Sequence, residues 1–235
     1  MAERVGQVSG RIVIAEGLEV VLRRSARARR MTLRVPRDGG DPVLTLPLRT
    51  PEAEGRAFAL SRGDWLAQAR ARVPQPQRPA PGALLPVEGR ALRVTPFPLR
   101  AVRVEGDLLL VPQARPVAPV VQAFLKHLAL QRLRPACDRH AAALGRPYRA
   151  LVLRDTRSRW GSCSVEGRLM FSWRLAMAPP EVLDYVAAHE VAHLAHMDHS
   201  PRFWAAVERL MPEWRGRRDW LRRNGGELML WRFRD

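Results

Sequence analysis

The sequence predicts an α+β protein with a small amino-terminal antiparallel β domain and a larger carboxy-terminal domain. Three observations point there. Short apolar runs separated by turn residues fill residues 11–46, helical apolar spacing marks three later stretches, and His189-Glu190-Val191-Ala192-His193 lies inside the last of these. A proline-rich stretch between the two groups divides the chain into residues 1–72, a linker at 73–82, and a domain at 83–235.

Taken in order, Arg11-Ile12-Val13-Ile14, Leu18 to Leu22, Met31 to Val35 and Pro42 to Leu46 read as strands of one small sheet. Pro51 and Glu52 open a helix to about Arg72, with Ala57, Leu60, Trp65 and Ala69 near helical spacing for packing on that sheet. Val73-Pro74-Gln75-Pro76-Gln77-Arg78-Pro79-Ala80-Pro81-Gly82 cannot continue it, because repeated prolines remove donors and hold the chain extended. Strands follow at Ala91–Thr95, Ala101–Val104 and Leu108–Val111, the last two joined by a turn at Glu105-Gly106-Asp107. Val121, Phe124, Leu125, Leu128, Leu133 and Ala136 then mark a long helix from Pro119 to Leu144, with Pro135 a point of interruption. No internal repeat is evident.

Composition bounds the function. With 46% hydrophobic residues in 235, the chain can bury an ordinary core. No run approaches membrane-spanning length, and the first thirty residues mix Glu3, Arg11, Glu16 and Arg23 among short apolar runs, unlike a signal peptide. Cys137 and Cys163 are too few for a disulfide framework, so a reducing cytoplasm is expected. The net charge of +17 invites a polyanion or nucleic-acid partner. Lys126 is the single lysine, however, and so strong an arginine skew also fits codon bias.

The chemistry concentrates on the stretch after Pro179-Pro180-Glu181, where Leu183, Val186, Ala187, Val191 and Leu194 recur at helical intervals to about His196. Residues four apart share a helix face, so His189 and His193 can meet one metal while Glu190 flanks them. Neutral imidazoles suit Zn²⁺, and a carboxylate beside the metal can accept a proton from its water. Two histidines and a glutamate among Val, Ala and Leu would be costly to bury without such a partner.

His196, His199, Glu208 and Glu213 are candidates for a third ligand. His196 stands about 10 Å of helical rise from His189, a strained reach. His199 is preferred, provided that the chain turns after about Met197, as Asp198-His199-Ser200-Pro201 suggests. Glu213, twenty residues after His193, is the alternative; Glu208 reads as a surface residue. Cys163 reads as structural, and Trp160, Trp173, Trp204, Trp214 and Trp220 as packing around the site.

Trp160-Gly161-Ser162-Cys163-Ser164, Phe171-Ser172-Trp173-Arg174-Leu175, Tyr185-Val186, the His189–His193 motif and His199-Ser200-Pro201-Arg202-Phe203-Trp204 together resemble the YgjP-like metallopeptidase family. The resemblance is strongest from Arg157 to Trp220 and extends to Arg29-Arg30-Met31-Thr32-Leu33 and Trp65. It implies a minimal zincin-like domain related to SprT-like and WLM proteases, with His189, His193 and His199 as zinc ligands and Glu190 as general base. It also implies that the strand of Phe171, Ser172, Trp173 and Arg174 edges the cleft, where an extended peptide could add as another strand.

The expected function is therefore that of a zinc-dependent metallopeptidase, with Arg157, Arg159 and Arg174 as candidate oxyanion donors. A metal-dependent nucleoside triphosphate pyrophosphatase would use the same metal and water on a phosphoanhydride, although no Walker-type glycine loop is present. A nucleic-acid-associated zinc protein, or a protease for DNA–protein crosslinks as the SprT-like relationship suggests, would instead use the basic surface.

Overall fold

The computed structural model describes residues 8–15, 18–36, 40–71, 76–156 and 158–233. It is mixed α+β, and the chain divides into two compact units, 1–76 and 77–235.

In the first unit, strands β1 (Val8–Ala15), β2 (Leu18–Ser25), β3 (Thr32–Arg34) and β4 (Val43–Pro47) form one sheet in the order β1-β2-β4-β3. The expected antiparallel sheet is in fact mixed, because β4 inserts between β2 and β3 and pairs parallel to β2. Alternation puts Ile12, Ile14, Val20, Leu22, Leu44 and Leu46 on one buried face. The single helix expected after Pro51 is two, α1 (Glu52–Leu60) and α2 (Gly63–Ala71). The break comes at Ser61 and Arg62, where the Ser61 hydroxyl donates to the Phe58 carbonyl. Gly55, Ala59 and Leu66 are the buried positions, and Leu60 and Trp65, expected inside, are exposed. Gly55 is needed there: a Cβ would stand 2.8 Å from Leu46 Cδ1.

The second unit opens by repeating this plan. Strands β5 (Leu84–Val87), β6 (Arg90–Phe97), β7 (Arg103–Glu105) and β8 (Leu108–Pro112) run in the order β5-β6-β8-β7. Here too the first and last pairs are antiparallel and the central pair is parallel. Registers correspond as well: Leu22 faces Leu44 as Val94 faces Leu109, and Ile12 faces Val20 as Leu85 faces Leu92. Pro47 and Pro112 end the fourth strands, and Pro51 and Pro116, each four residues on, stand at the N-caps of the following helices. An internal structural repeat therefore exists where none was evident in the sequence. Of the equivalent positions named, the two proline pairs and Leu44 with Leu109 share a residue type and the others keep only size and hydrophobicity, too few identities to announce a repeat.

From Pro116 the second copy departs from the first. Helix α3 (Val117–Leu144) runs unbroken through Pro135 and ends at Gly145, whose φ of 71° favours glycine. A three-stranded sheet follows, with β11 (Arg168–Ser172) central, paired antiparallel to β10 (Gly161–Cys163) and parallel to β9 (Ala150–Arg154). A 3-10 turn, Trp173–Met177, leads to helices α4 (Pro180–Ala192), α5 (Pro201–Leu210) and α6 (Trp214–Met229). Part of the expected linker belongs to this unit, since Gln77 pairs with Trp231 and its N–H donates to the Leu230 carbonyl; residues 73–75 lie outside the described residues. Asp184 of α4 sits 2.9 Å from His140 Nε2 and accepts from Arg139, tying α4 to α3.

Candidate metal centre

Helix α4 ends at Ala192 with His193 as its C-cap, short of the His196 that its apolar spacing suggests. Leu194 and Ala195 close its last turn by donating to Val191 and Ala192, and the chain reverses before Ser200 caps α5 at Phe203. That early stop returns His199 to His189 and His193. One nitrogen from each ring lies within 4.8 Å of the others, and no other such group of three or more occurs among the described residues. The Nε2 atoms of His189 and His199 are 3.3 Å apart. His193 Nδ1 lies 2.9 Å from the His196 carbonyl, to which it can only donate, so its Nε2 is the nitrogen left free to accept.

Of the other third-ligand candidates, Glu213 forms an ion pair with Arg217, Glu208 pairs with Arg215 and Trp214, and His196 contributes only its carbonyl. Aromatic rings wall the histidines. Phe203 stacks on His193 at 4.4 Å, and Trp204 lies 5.8 Å from His189 and 5.9 Å from His199. Burial, with the neighbouring His193, His199 and Arg218 charges, pushes His189 down to about 3; burial also lowers His193 against its bond to His196. Both rings are thus neutral at pH 7 and able to ligate. His189 Nδ1 is buried with no hydrogen-bond partner. A buried ring orphaned at one nitrogen and facing another imidazole at the other fits a shared cation, and three nitrogen donors suit a borderline-soft divalent metal.

Glu190 is almost wholly buried, and burial pushes it up to about 8 against the opposing charge of Arg159. It runs against β10 so closely that a Cβ on Gly161 would stand 2.4 Å from Glu190 Oε1. Trp160, the preceding residue, packs on Gly225 of α6 and its carbonyl accepts from the Ser172 N–H at 2.8 Å, which holds the start of β10 in place.

The expected substrate strand is corrected. Strand β11 is paired on both sides and offers no edge, and Phe171, Ser172, Trp173 and Arg174 are all buried. Arg174 is spent structurally: Nε donates to Asp155 at 2.9 Å and Nη1 to the carbonyls of Leu228 and Trp231. The edge strand beside α4 is β10, whose short run Gly161–Cys163 carries too little periodicity to announce a strand. Arg159 is exposed with its charge bearing on Glu190, while Arg157 lies outside the described residues. Cys163 stays apart from the histidines; burial pushes its thiol up to about 11 and that of Cys137 to about 12, so both remain protonated. Gly161 was visible only as part of a motif, and Arg218, whose charge reaches His189, gave no signal in the sequence.

Compared with known protein families, residues 29–224 match the YgjP-like metallopeptidase domain. The chain belongs to the YgjP-like family. A family of metallopeptidases implies a divalent metal and peptide substrates, and the three histidines of this YgjP-like domain are placed to bind such a metal. No curated protein matches the chain. Among solved structures, the metallopeptidase zymogen of Pyrococcus abyssi abylysin is similar over 40% of this chain and 92% of that one, with 23% identity and a TM-score of 0.35. No helix among the described residues is long and apolar enough to cross a membrane.

Proposed function

We propose that the chain is a zinc metallopeptidase of minimal zincin-like design, with His189, His193 and His199 holding the metal and Glu190 acting as general base. The observation that carries this reading is the convergence of three imidazole nitrogens within 4.8 Å beside a buried carboxylate. Bound there, zinc would supply a Lewis acid that polarises a carbonyl and makes water acidic near neutral pH.

The protein's own residues supply the rest. Glu190, buried on α4 next to His189, is the carboxylate in position to take a proton from water and pass it to the departing amine. Phe203 and Trp204 wall the histidines, and dry walls strengthen the electrostatic interactions between them. The edge of β10, paired only with β11 among the described residues, is the place for an extended peptide to add as a further strand. Two unpaired cysteines support a reducing, cytoplasmic setting.

The test is metal content of the purified protein and of Glu190→Gln and His199→Ala, with casein and nucleotide hydrolysis assayed together. Expected are one zinc retained in Glu190→Gln, zinc weakened in His199→Ala, and casein cleavage lost in both. Zinc with turnover of nucleotides alone would replace this reading by a phosphoanhydride hydrolase.

A further inference from the structure

Helix α6 presents five arginines, and they are not equivalent. Arg215 pairs with Glu208, Arg217 with Glu213 and Glu181, and Arg222 with Asp219. Arg223 and Arg218 form no ion pair among the described residues, and of the two Arg218 lies over aromatic rings. Its guanidinium carbon lies 4.9 Å over the Trp204 ring and 5.7 Å from that of Trp214, two rings themselves stacked at 4.4 Å. Trp204 in turn contacts His189 and His199. A cation is thus held by aromatic faces, one ring removed from the metal ligands, with its donors unclaimed by any carboxylate among the described residues.

Stacking fixes the plane of a guanidinium without using its N–H groups, which is the arrangement for offering a fork to a planar anion. Glutamate or aspartate near it would have quenched it, as happens at Arg215 and Arg217 on the same helix. Resting on the proposed peptidase function, we infer that Arg218 is a specificity-determining residue that binds a carboxylate of the substrate, either the free end of a peptide chain or an Asp or Glu side chain near the scissile bond. The site is then selective for anionic peptides, with β10 aligning the backbone and Arg218 reading the charge from its place over Trp204.

The test uses the full chain, zinc-loaded and carrying Glu190→Gln so that binding is measured without turnover. Fluorescently labelled peptides are compared in pairs: Glu against Gln at each position in turn, and a free against an amidated carboxyl end. One member of a pair should bind roughly tenfold tighter through a charge-assisted bidentate contact at a partly exposed site. In Arg218→Gln that ratio should collapse to about one with zinc stoichiometry and Tm retained, and Arg218→Glu should shift preference to the Lys counterpart. A ratio carried by the end-group pair identifies the chain terminus; one carried by an internal pair identifies an acidic side chain. The inference is overturned if no pair differs by more than about twofold, if the ratio survives in Arg218→Gln, or if both members weaken equally, which is the mark of a packing role. Failure of the wild-type protein to cleave any peptide, with the Arg218-dependent ratio intact, would overturn the peptidase reading and leave the carboxylate site standing.

Discussion

At the scale of single residues, the site depends on how tightly Glu190 is enclosed. Because β10 passes against its carboxylate, Gly161→Ala places a methyl group where Glu190 Oε1 now lies, 2.4 Å away, and the buried side chain must move. Displacing a base by about an ångström costs on the order of a hundredfold in rate, so this variant should keep its zinc and lose most turnover, checked by metal analysis beside kinetics. Enclosure also sets a pH dependence. Glu190 has an ordinary value of 4.5 and is raised to about 8 in the folded, metal-free protein, so its contribution to stability is full below the lower value and is lost as pH rises through the upper. Glu190→Gln removes that loss. In chelator-treated protein the Tm of the variant relative to wild type should therefore climb by roughly 5 °C or more between pH 5 and 9, given about 2–4 °C per kcal/mol for a domain this size. A difference that stays flat across that range would mean the carboxylate is solvated.

Among the elements, the 3-10 turn at Trp173–Met177 shows why a motif residue can matter without touching a substrate. Arg174 reaches from it to Asp155, just beyond β9, and to the carbonyls of Leu228 in the last turn of α6 and of Trp231 after it, while Trp173 meets Phe233 edge-on at 5.0 Å. Three elements are thereby gathered around one buried guanidinium. Arg174→Met should lower stability by about 3 kcal/mol, because it strands a carboxylate and two carbonyls, and urea midpoints would register it. Loss of peptide affinity with unchanged stability would instead return Arg174 to the substrate site.

For the molecule as a whole, the two units carry separate apolar clusters. Ile12 to Leu66 supply one and Leu85 to Phe233 the other. The three histidines, Glu190, β10 and Arg218 all belong to residues 77–235. Residues 77–235 alone should therefore unfold cooperatively and bind one zinc, with calorimetry and metal titration as the measurements. An unfolded or metal-free product would show that this core is not self-sufficient.

Much of the site was legible because its chemistry is local: His189, Glu190 and His193 take their relation from one helical turn, and a turn-forming Asp198-His199-Ser200-Pro201 sufficed to favour His199. The long α3 was readable for the same reason, since period survives in a single segment. Strand partners were not. Parallel insertion of β4 and of β8 into their sheets, the repeat that this creates, and the central place of β11 depend on pairing between distant segments, which apolar spacing leaves unspecified. The sequence by itself determined which residues could hold a metal. Only the tertiary structure decided which glycine makes room for Glu190, which strand lies at the sheet edge beside α4 and which arginine lies over Trp204 with no ion pair among the described residues, because each of these is a relation between residues that meet solely through packing.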